Sequence, residues 1–331
     1  MALRGFGQFT YDVGSKRVEA ETIFDLASLT KAVATTTMAM LLYERGLLEL
    51  DSPAAAILPE LSSAGDKRHE QITFRMLLAH SSGLPGHVRL YETGKGDEIF
   101  WAACRTPLEA APGVRAGYSD IGFILLGKAL ERLADEELAS FSQREIFGPL
   151  AMMHTMFQPP TELRCSIPPA QDDREFRRKI VQGEVDDENA WAMGGIGGHA
   201  GLFSNARDLS RFANCMLGGG SPILRKETIE RFTKRQNLPA GSSWGLGWDT
   251  PSSPSQSGRY FSPSSYGHLG FTGTSLWIDP ERQLSVSFLT NRTWPDRRSE
   301  KIKQVRPNLH DAIVEDLHLT RANEESHRSS I

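Results

Sequence analysis

The chain opens on a two-residue rhythm. Gly5 to Asp12 (GFGQFTYD) alternates aromatic with small or polar residues, which predicts a strand. From Glu21 the spacing turns helical. Asp25 stands where a helix cap belongs, the helix runs through Ser28 to Arg45, and Gly46 takes the left-handed terminator position. Around Met38, Met40, Leu41 and Leu42 this helix is apolar nearly all round, so it is expected to be central and buried. From about Asp51 to Asn205 the pattern is one of helices and loops. Ile72 to Leu78 reads as a short helix closed by His80-Ser81-Ser82-Gly83-Leu84-Pro85. Ser119 or Asp120 can cap another, running through Leu133. Pro159 to Asn189, rich in proline and charge, reads as a long irregular loop of the kind that is functional or disordered. Asp208 to Leu217 and Lys226 to Arg235 are helical again.

The last third changes character. Trp244 to Trp248, Arg259 to Phe261, Tyr266 to Phe271, Ser275 to Asp279 and Leu284 to Asn291 read as strands. Asp279-Pro280-Glu281-Arg282 makes a tight turn between two of them. A helix over Pro307 to Leu317 follows. Strands therefore bracket a helical insertion, which predicts an α+β fold: an antiparallel β-sheet flanked by helices, plus an all-α lobe. The expected division is a discontinuous sheet domain over 1–55 and 205–320, a helical domain over 56–204, and a flexible polar tail over 321–331. A cleft between two lobes is a common ligand site.

Composition narrows the partners more than the chemistry. The 331 residues are 39% hydrophobic and 24% charged, with a formal net charge of −4. No basic stripe marks a nucleic-acid surface, and the run Arg174 to Lys179 (REFRRK) reads as a solvated face. The 3 cysteines, Cys104, Cys165 and Cys215, are far apart and lack metal-ligand spacing, which suits free thiols in a reducing compartment. No metal or cofactor is expected. There is no apolar run of membrane-spanning length. The start, MALRGFGQFTYD, lacks the apolar core of a signal peptide, so a cytoplasmic location is expected.

Three short motifs carry chemistry. Ser28-Leu29-Thr30-Lys31 is S-x-x-K, and residues three apart on a helix share a face, so hydroxyl and amine can meet. A serine hydroxyl needs a base, and a lysine whose pKa is lowered by burial can serve. The helix start adds free N–H groups that suit an oxyanion. Tyr118-Ser119-Asp120 supplies a phenol able to donate or accept a proton. His268-Leu269-Gly270 lies on a strand before Phe271-Thr272-Gly273-Thr274, where Gly270 admits close approach of backbone or ligand. Softer candidates are His80, His199, Asp187-Glu188-Asn189, and Trp191 as a wall of an acyl pocket.

In this order the three elements resemble the family of class C β-lactamases, DD-peptidases and family VIII carboxylesterases, which carry S-x-x-K, then Y-x-N or a variant, then K-T-G, H-T-G or W-G-G. The flanks FDLASLTK, LLAHSSGLP, YSDIGF, GHLGFTGT and GGHAGLFSNARDLSRF are similar to that family too, and the likeness runs from Gly5 to about Asp316. The resemblance implies a β-lactamase/transpeptidase-like fold and an acyl-enzyme at Ser28. Lys31 and Tyr118 would share the protons, the amides of Ser28 and Phe271 would form the oxyanion hole, and His268 would line the pocket. Three departures stand out. Only 27 residues precede Ser28, so a first helix and strand are expected to be missing. Asp120 replaces the usual Asn, where it can repel a substrate carboxylate or pair with Lys31. His268 replaces the usual Lys and is a weaker anion anchor.

These changes favour an uncharged acyl substrate, so a carboxylesterase acting on small or short-chain esters is the leading expectation. The alternatives are a β-lactamase or D-alanyl-D-alanine carboxypeptidase, and a non-catalytic binding or sensor module. The expected partner is a small-molecule ester or amide, and no oligomeric state is implied.

Overall fold

The computed structural model describes residues 1–63 and 65–319. Two short strands, β1 (Phe24–Asp25) and β2 (Met156–Phe157), flank β5 (Leu202–Ser204) antiparallel, pairing Asp25 and Met156 with opposite sides of Phe203. Between them, β3 (Gln171–Asp173) and β4 (Lys179–Val181) form a hairpin. The main sheet is β6 (Tyr266–Leu269), β7 (Ser275–Asp279) and β8 (Leu284–Phe288), all antiparallel, with His268 opposite Leu276 and Ser275 opposite Phe288. β7 is central and wholly buried, and its alternation separates two packing faces. Leu276 and Ile278 join the large core that also holds Leu26, Met38, Phe123 and Phe212. Trp277 points the other way, onto Val286 and Val314 of the C-terminal helix (Ile302–Asp316). One face of the sheet thus shares the main apolar core with the helices, and the other closes a smaller cluster under the C-terminal helix.

The buried helix after Ser28 begins as a widened π turn over Lys31–Thr36 and continues as an α-helix over Thr37–Glu44, with Gly46 at φ +69° beyond it. Such turns interrupt helices most often where a site is built. It packs against the Asp120–Ala134 helix, whose N-cap is Ser119: its hydroxyl accepts the Gly122 amide at 3.0 Å.

Several sequence expectations do not hold. Gly5 to Asp12 is not a strand. Its pairing is one bridge long, Gln8 to Arg17, flanked by the Phe9 amide on the Lys16 carbonyl at 2.9 Å and the Val18 amide on the Gly7 carbonyl at 3.1 Å. Phe9 is buried, but Phe6 and Tyr11 are 76% and 87% exposed, so the alternation does not match a continuous buried face. Trp244 to Trp248 turns on Gly247 (φ +77°) and only bridges Asp249. Arg259 is drawn off the sheet because its amide donates to Asp311 on the C-terminal helix at 2.6 Å. Pro159 to Asn189 is built rather than irregular. Arg177, expected in solvent, is 1% exposed at its side chain, pairs with Asp173 at 2.7 Å, and donates to the Val185 and Asp186 carbonyls. The C-terminal helix starts before Pro307. The missing proline N–H leaves the Lys303 carbonyl free, and the Gln256 side-chain amide donates to it at 3.1 Å. The tail over 321–331 lies outside the described residues.

Candidate active site

Ser28 sits on a tight strand-to-helix turn. β1 ends at Asp25, and Ala27 takes a left-handed φ of +47°, which a non-glycine residue keeps only when its surroundings hold it. Asp25 holds it. One carboxylate oxygen accepts the Ala27 amide at 2.8 Å and the other the Asp186 amide at 2.7 Å. Asp25 is therefore the clamp of this turn rather than the cap of the following helix. Burial, then the nearby Asp186 charge, pushes its carboxyl up to about 7.

The turn delivers Ser28 to Lys31 and Tyr118. Lys31 Nζ lies 3.0 Å from Ser28 Oγ, and the Tyr118 hydroxyl donates to Ser28 Oγ at 2.6 Å. Lys31 also reaches the Tyr118 hydroxyl at 2.6 Å, Asp120 Oδ1 at 2.7 Å and the His199 carbonyl at 2.9 Å. An ammonium has three N–H groups and here meets four oxygens, so a protonated Lys31 leaves one of them unserved. The Lys31 side chain is wholly buried, and burial lowers its pKa against the opposing pull of Asp120. Asp120, at the N-terminus of its helix, pairs with Lys31. Burial works against its charge, but Lys31 and then His87 overcome that and hold it well below the usual carboxylate range. Burial and the Asp120 charge push the Tyr118 phenol well above its ordinary value.

The His199 carbonyl reaches Lys31 because of two facing glycines, Gly198 and Gly127, each of whose Cβ atoms would crowd the other segment. A Cβ on Gly198 would lie 2.2 Å from the Phe123 carbonyl, so only glycine lets this segment press on the Asp120–Ala134 helix. The His199 ring is buried and contacts Asp187 through Nε2 at 2.7 Å. His87 Nδ1 stands 3.7 Å from Asp120 Oδ2, half-exposed at the mouth. His87, Asp120 and Asp187 bring three donor atoms within 4.8 Å of one another, a spacing that could hold a metal ion. Asp120 and Asp187 each already commit one oxygen, to Lys31 and His199.

Aromatic rings brace Tyr118. His80 accepts the Ser119 amide on Nδ1 at 3.1 Å and lies 4.9 Å from the Tyr118 ring and 4.4 Å from that of Trp244. Trp244 is 6.1 Å from Tyr118 and 6.0 Å from His268. His268 donates from Nδ1 to the Leu269 carbonyl at 2.8 Å, which leaves Nε2 as a buried acceptor without a protein partner among the described residues. Burial, then the Lys31 charge, lowers its pKa to about 3, so it works as a neutral imidazole. Trp191 is not with this group: its indole donates to Glu184 at 3.0 Å and stacks edge-on to Phe176 under Lys95. Shape alone does not mark the site. A cavity of about 750 Å³ lined by Phe6, Phe9, Tyr11, Asn291 and Trp294 contains none of these groups.

Across from Ser28 lies the turn after β6. Thr272 and Thr274 donate from their hydroxyls to the Asp25 and Leu26 carbonyls at 2.8 and 2.9 Å. A Cβ on Gly270 would stand 2.5 Å from the Leu26 carbonyl and 1.9 Å from Thr274 Oγ1, so the close approach this glycine allows is backbone on backbone. Among the described residues, the amides of Ser28 and Phe271 donate to no protein acceptor.

A serine hydroxyl touching a buried lysine and a phenol, with free amides at Ser28 and Phe271, has the parts that acyl transfer uses. The chain belongs to the β-lactamase family, whose profile matches residues 3–307. It has that family's α+β β-lactamase-like fold and hydrolase class. Among relatives, the N-acetylmuramyl-L-alanine amidase of Bacillus subtilis (strain 168) is 33% identical over 312 residues, covering 83% of this chain and 69% of that protein. A putative D-alanyl-D-alanine carboxypeptidase of Escherichia coli (strain K12) is 33% identical over 306 residues, covering 82% and 69%. Among solved structures, the LovD9 mutant of simvastatin synthase from Aspergillus terreus superposes with a TM-score of 0.73 at 22% identity, covering 96% of this chain and 91% of that one. EstCE1, described as a hydrolase with promiscuous acyltransferase activity, gives 0.69 at 21%, covering 89% and 87%. These two structures speak for the fold alone.

Sequence reasoning missed Trp244, His87 and the His199 carbonyl. For Trp244 the signal was WGLGW, a double tryptophan around two glycines. For the carbonyl it was the glycine pair Gly197-Gly198 immediately before His199. His87 left no local signal.

Proposed function

We propose that this chain is a serine hydrolase that works through an acyl-enzyme at Ser28, with small uncharged esters as its preferred substrates. The observation that carries the acyl-enzyme reading is the meeting of Lys31 Nζ and the Tyr118 hydroxyl on Ser28 Oγ, at 3.0 and 2.6 Å. With Asp120 holding Tyr118 as a phenol, neutral Lys31 is the base. Ser28 Oγ adds to the substrate carbonyl carbon and its proton passes to Lys31. The oxyanion is taken by the Ser28 and Phe271 amides. Collapse expels the alkoxide, which leaves with a proton from Tyr118, itself reprotonated by Lys31. A water then repeats the sequence on the acyl-enzyme. The preference for neutral substrates rests on charge: Asp120 and Asp187 lie beside the nucleophile, and His268 offers a carboxylate no positive charge.

A second reading, hydrolysis of a peptidoglycan amide or D-alanyl peptide, is favoured by the relatives named as amidase and carboxypeptidase. Tyr118 supports it as well, because a retained phenol proton is what a leaving amine needs. A panel of p-nitrophenyl esters, nitrocefin and D-Ala-D-Ala peptides, run beside Ser28→Ala, tests both. Ester turnover with a burst, absent in Ser28→Ala, is expected. Higher kcat/KM on the peptide or on nitrocefin would reverse the ranking. An intact-mass measurement showing no fluorophosphonate adduct on folded protein would remove the acyl-enzyme itself.

A further inference from the structure

In a trans peptide the carbonyl and N–H point in opposite directions. The Phe271 N–H therefore takes its direction from whatever holds the Gly270 carbonyl, at the other end of the same plane. That carbonyl accepts Nη2 of Arg306 at 2.6 Å. The same nitrogen donates to the Thr274 carbonyl at 2.8 Å, and Arg306 Nε donates to the Gly273 carbonyl at 3.2 Å. The guanidinium thus underlies the whole 270–274 turn from the C-terminal helix, and the residue is 5% exposed. Among the described residues no carboxylate pairs with it. Burial, with Arg292 nearby, lowers its pKa to about 10. A buried cation without a counter-ion is costly, and among the described residues three carbonyls offset that cost.

We propose that Arg306 is a positioning residue of the oxyanion hole: it grips the Gly270 carbonyl, aims the Phe271 N–H across the cleft toward the carbon that Ser28 attacks, and strengthens that N–H as a donor. The inference rests on the acyl-enzyme reading above. A charge bonded to one end of an amide polarises the other end. The rest of the turn supports the aim. The Gly270 amide is occupied by the Thr274 carbonyl at 2.7 Å, and Gly273 adds a second bond to the Gly270 carbonyl at 3.1 Å. Among the described residues the Phe271 N–H, like those of Thr272 and Thr274, donates to no protein acceptor, and it is the one on the peptide whose carbonyl Arg306 grips. The Phe271 ring stays 50% exposed under Arg292 and Arg297.

The test uses Arg306→Met and Arg306→Lys, each checked for folding by circular dichroism and thermal melting. Acylation is measured with a p-nitrophenyl ester and with its thionoester, whose sulfur accepts hydrogen bonds poorly. In Arg306→Met the ester kcat should fall about tenfold to a hundredfold with KM near wild type. The thionoester should lose far less, so the ester-to-thionoester ratio collapses. Arg306→Lys, which keeps the charge, should restore part of the ratio. A general structural role would slow both substrates alike. A folded Arg306→Met with an unchanged ratio overturns the inference. If Arg306→Met does not fold, Arg306→Gln, which also removes the charge, is measured in its place, and an unchanged ratio there overturns it. Wild-type protein that is not acylated at Ser28 overturns the functional reading instead.

Discussion

Replacing Asp120 with Asn removes one negative charge beside Lys31 while keeping an oxygen within reach of Lys31 and of the Tyr118 hydroxyl, which stands 2.9 Å from Asp120 Oδ1. At 2.7 Å, the gross attraction between the two charges is about 6 kcal/mol in a medium of effective dielectric near 20. Without it, wholly buried Lys31 escapes by losing its proton. That costs about 1.4 kcal/mol for each pH unit below its ordinary value, or about 3 kcal/mol at pH 8. The sign follows directly. The folded variant binds one proton fewer than the unfolded chain, so its stability rises with pH. His87 adds in the same direction: its pKa, raised first by its bond to Asp120, stabilises the wild type only toward low pH, though half-exposure keeps this small. Urea unfolding at pH 6.5 and 8.5 should therefore show Asp120→Asn losing more stability at 6.5, by up to about 2.7 kcal/mol. Neutral Lys31 is the proposed base, so the acid limb of kcat/KM should also move to lower pH. A pH-independent stability loss together with an unmoved acid limb would show that Lys31 and Asp120 are not a charged pair, and the reasoning would be wrong.

Three further outcomes follow from the same geometry. Tyr118→Phe keeps the ring against His80 but removes the hydroxyl, and kcat should fall about 10²- to 10⁴-fold with the melting temperature held; near-wild-type turnover would exclude Tyr118 from proton transfer. Gly270→Ala drives a Cβ to 2.5 Å from the Leu26 carbonyl, which should cost about 1–3 kcal/mol and slow acylation, and an unchanged denaturation midpoint would contradict the close packing. Asp25, raised to about 7, stays protonated in the folded state while the unfolded chain ionises near 4. Its contribution is full below about pH 4 and falls by up to about 4 kcal/mol as pH rises to 7, so Asp25→Asn should gain on wild type across that window. Parallel stability-versus-pH curves for the two proteins would refute it.

Much of the site could be read along the chain because its parts are local. Ser28 and Lys31 are three residues apart, and helical spacing alone brings them to one face. Ser119 caps its helix through a contact three residues long, and the β7–β8 turn at Asp279 is equally local. The failures share a different cause. Gly5 to Asp12 has strand-like alternation, but it pairs with the chain at Arg17 over a single bridge and buries only Phe9 of its aromatics, too little to extend a sheet. Arg177 sits in a basic run that looks solvated, yet Asp173 and two carbonyls bury it. Trp191 reads by its type as a pocket wall, but Glu184, Phe176 and Lys95 hold its indole.

By itself the sequence determined the kind of chemistry, a hydroxyl with an amine and a phenol to move its proton, and the alternation that builds β7 and its neighbours. Only the tertiary structure decided how those groups are charged. Asp120 instead of solvent beside Lys31, Trp244 against His80, the His199 carbonyl through a glycine gap, and Arg306 beneath the Gly270 peptide all come from contacts across scores of residues. Burial and opposing charge act through distance in space, and that distance is not written in the spacing of residues along the chain.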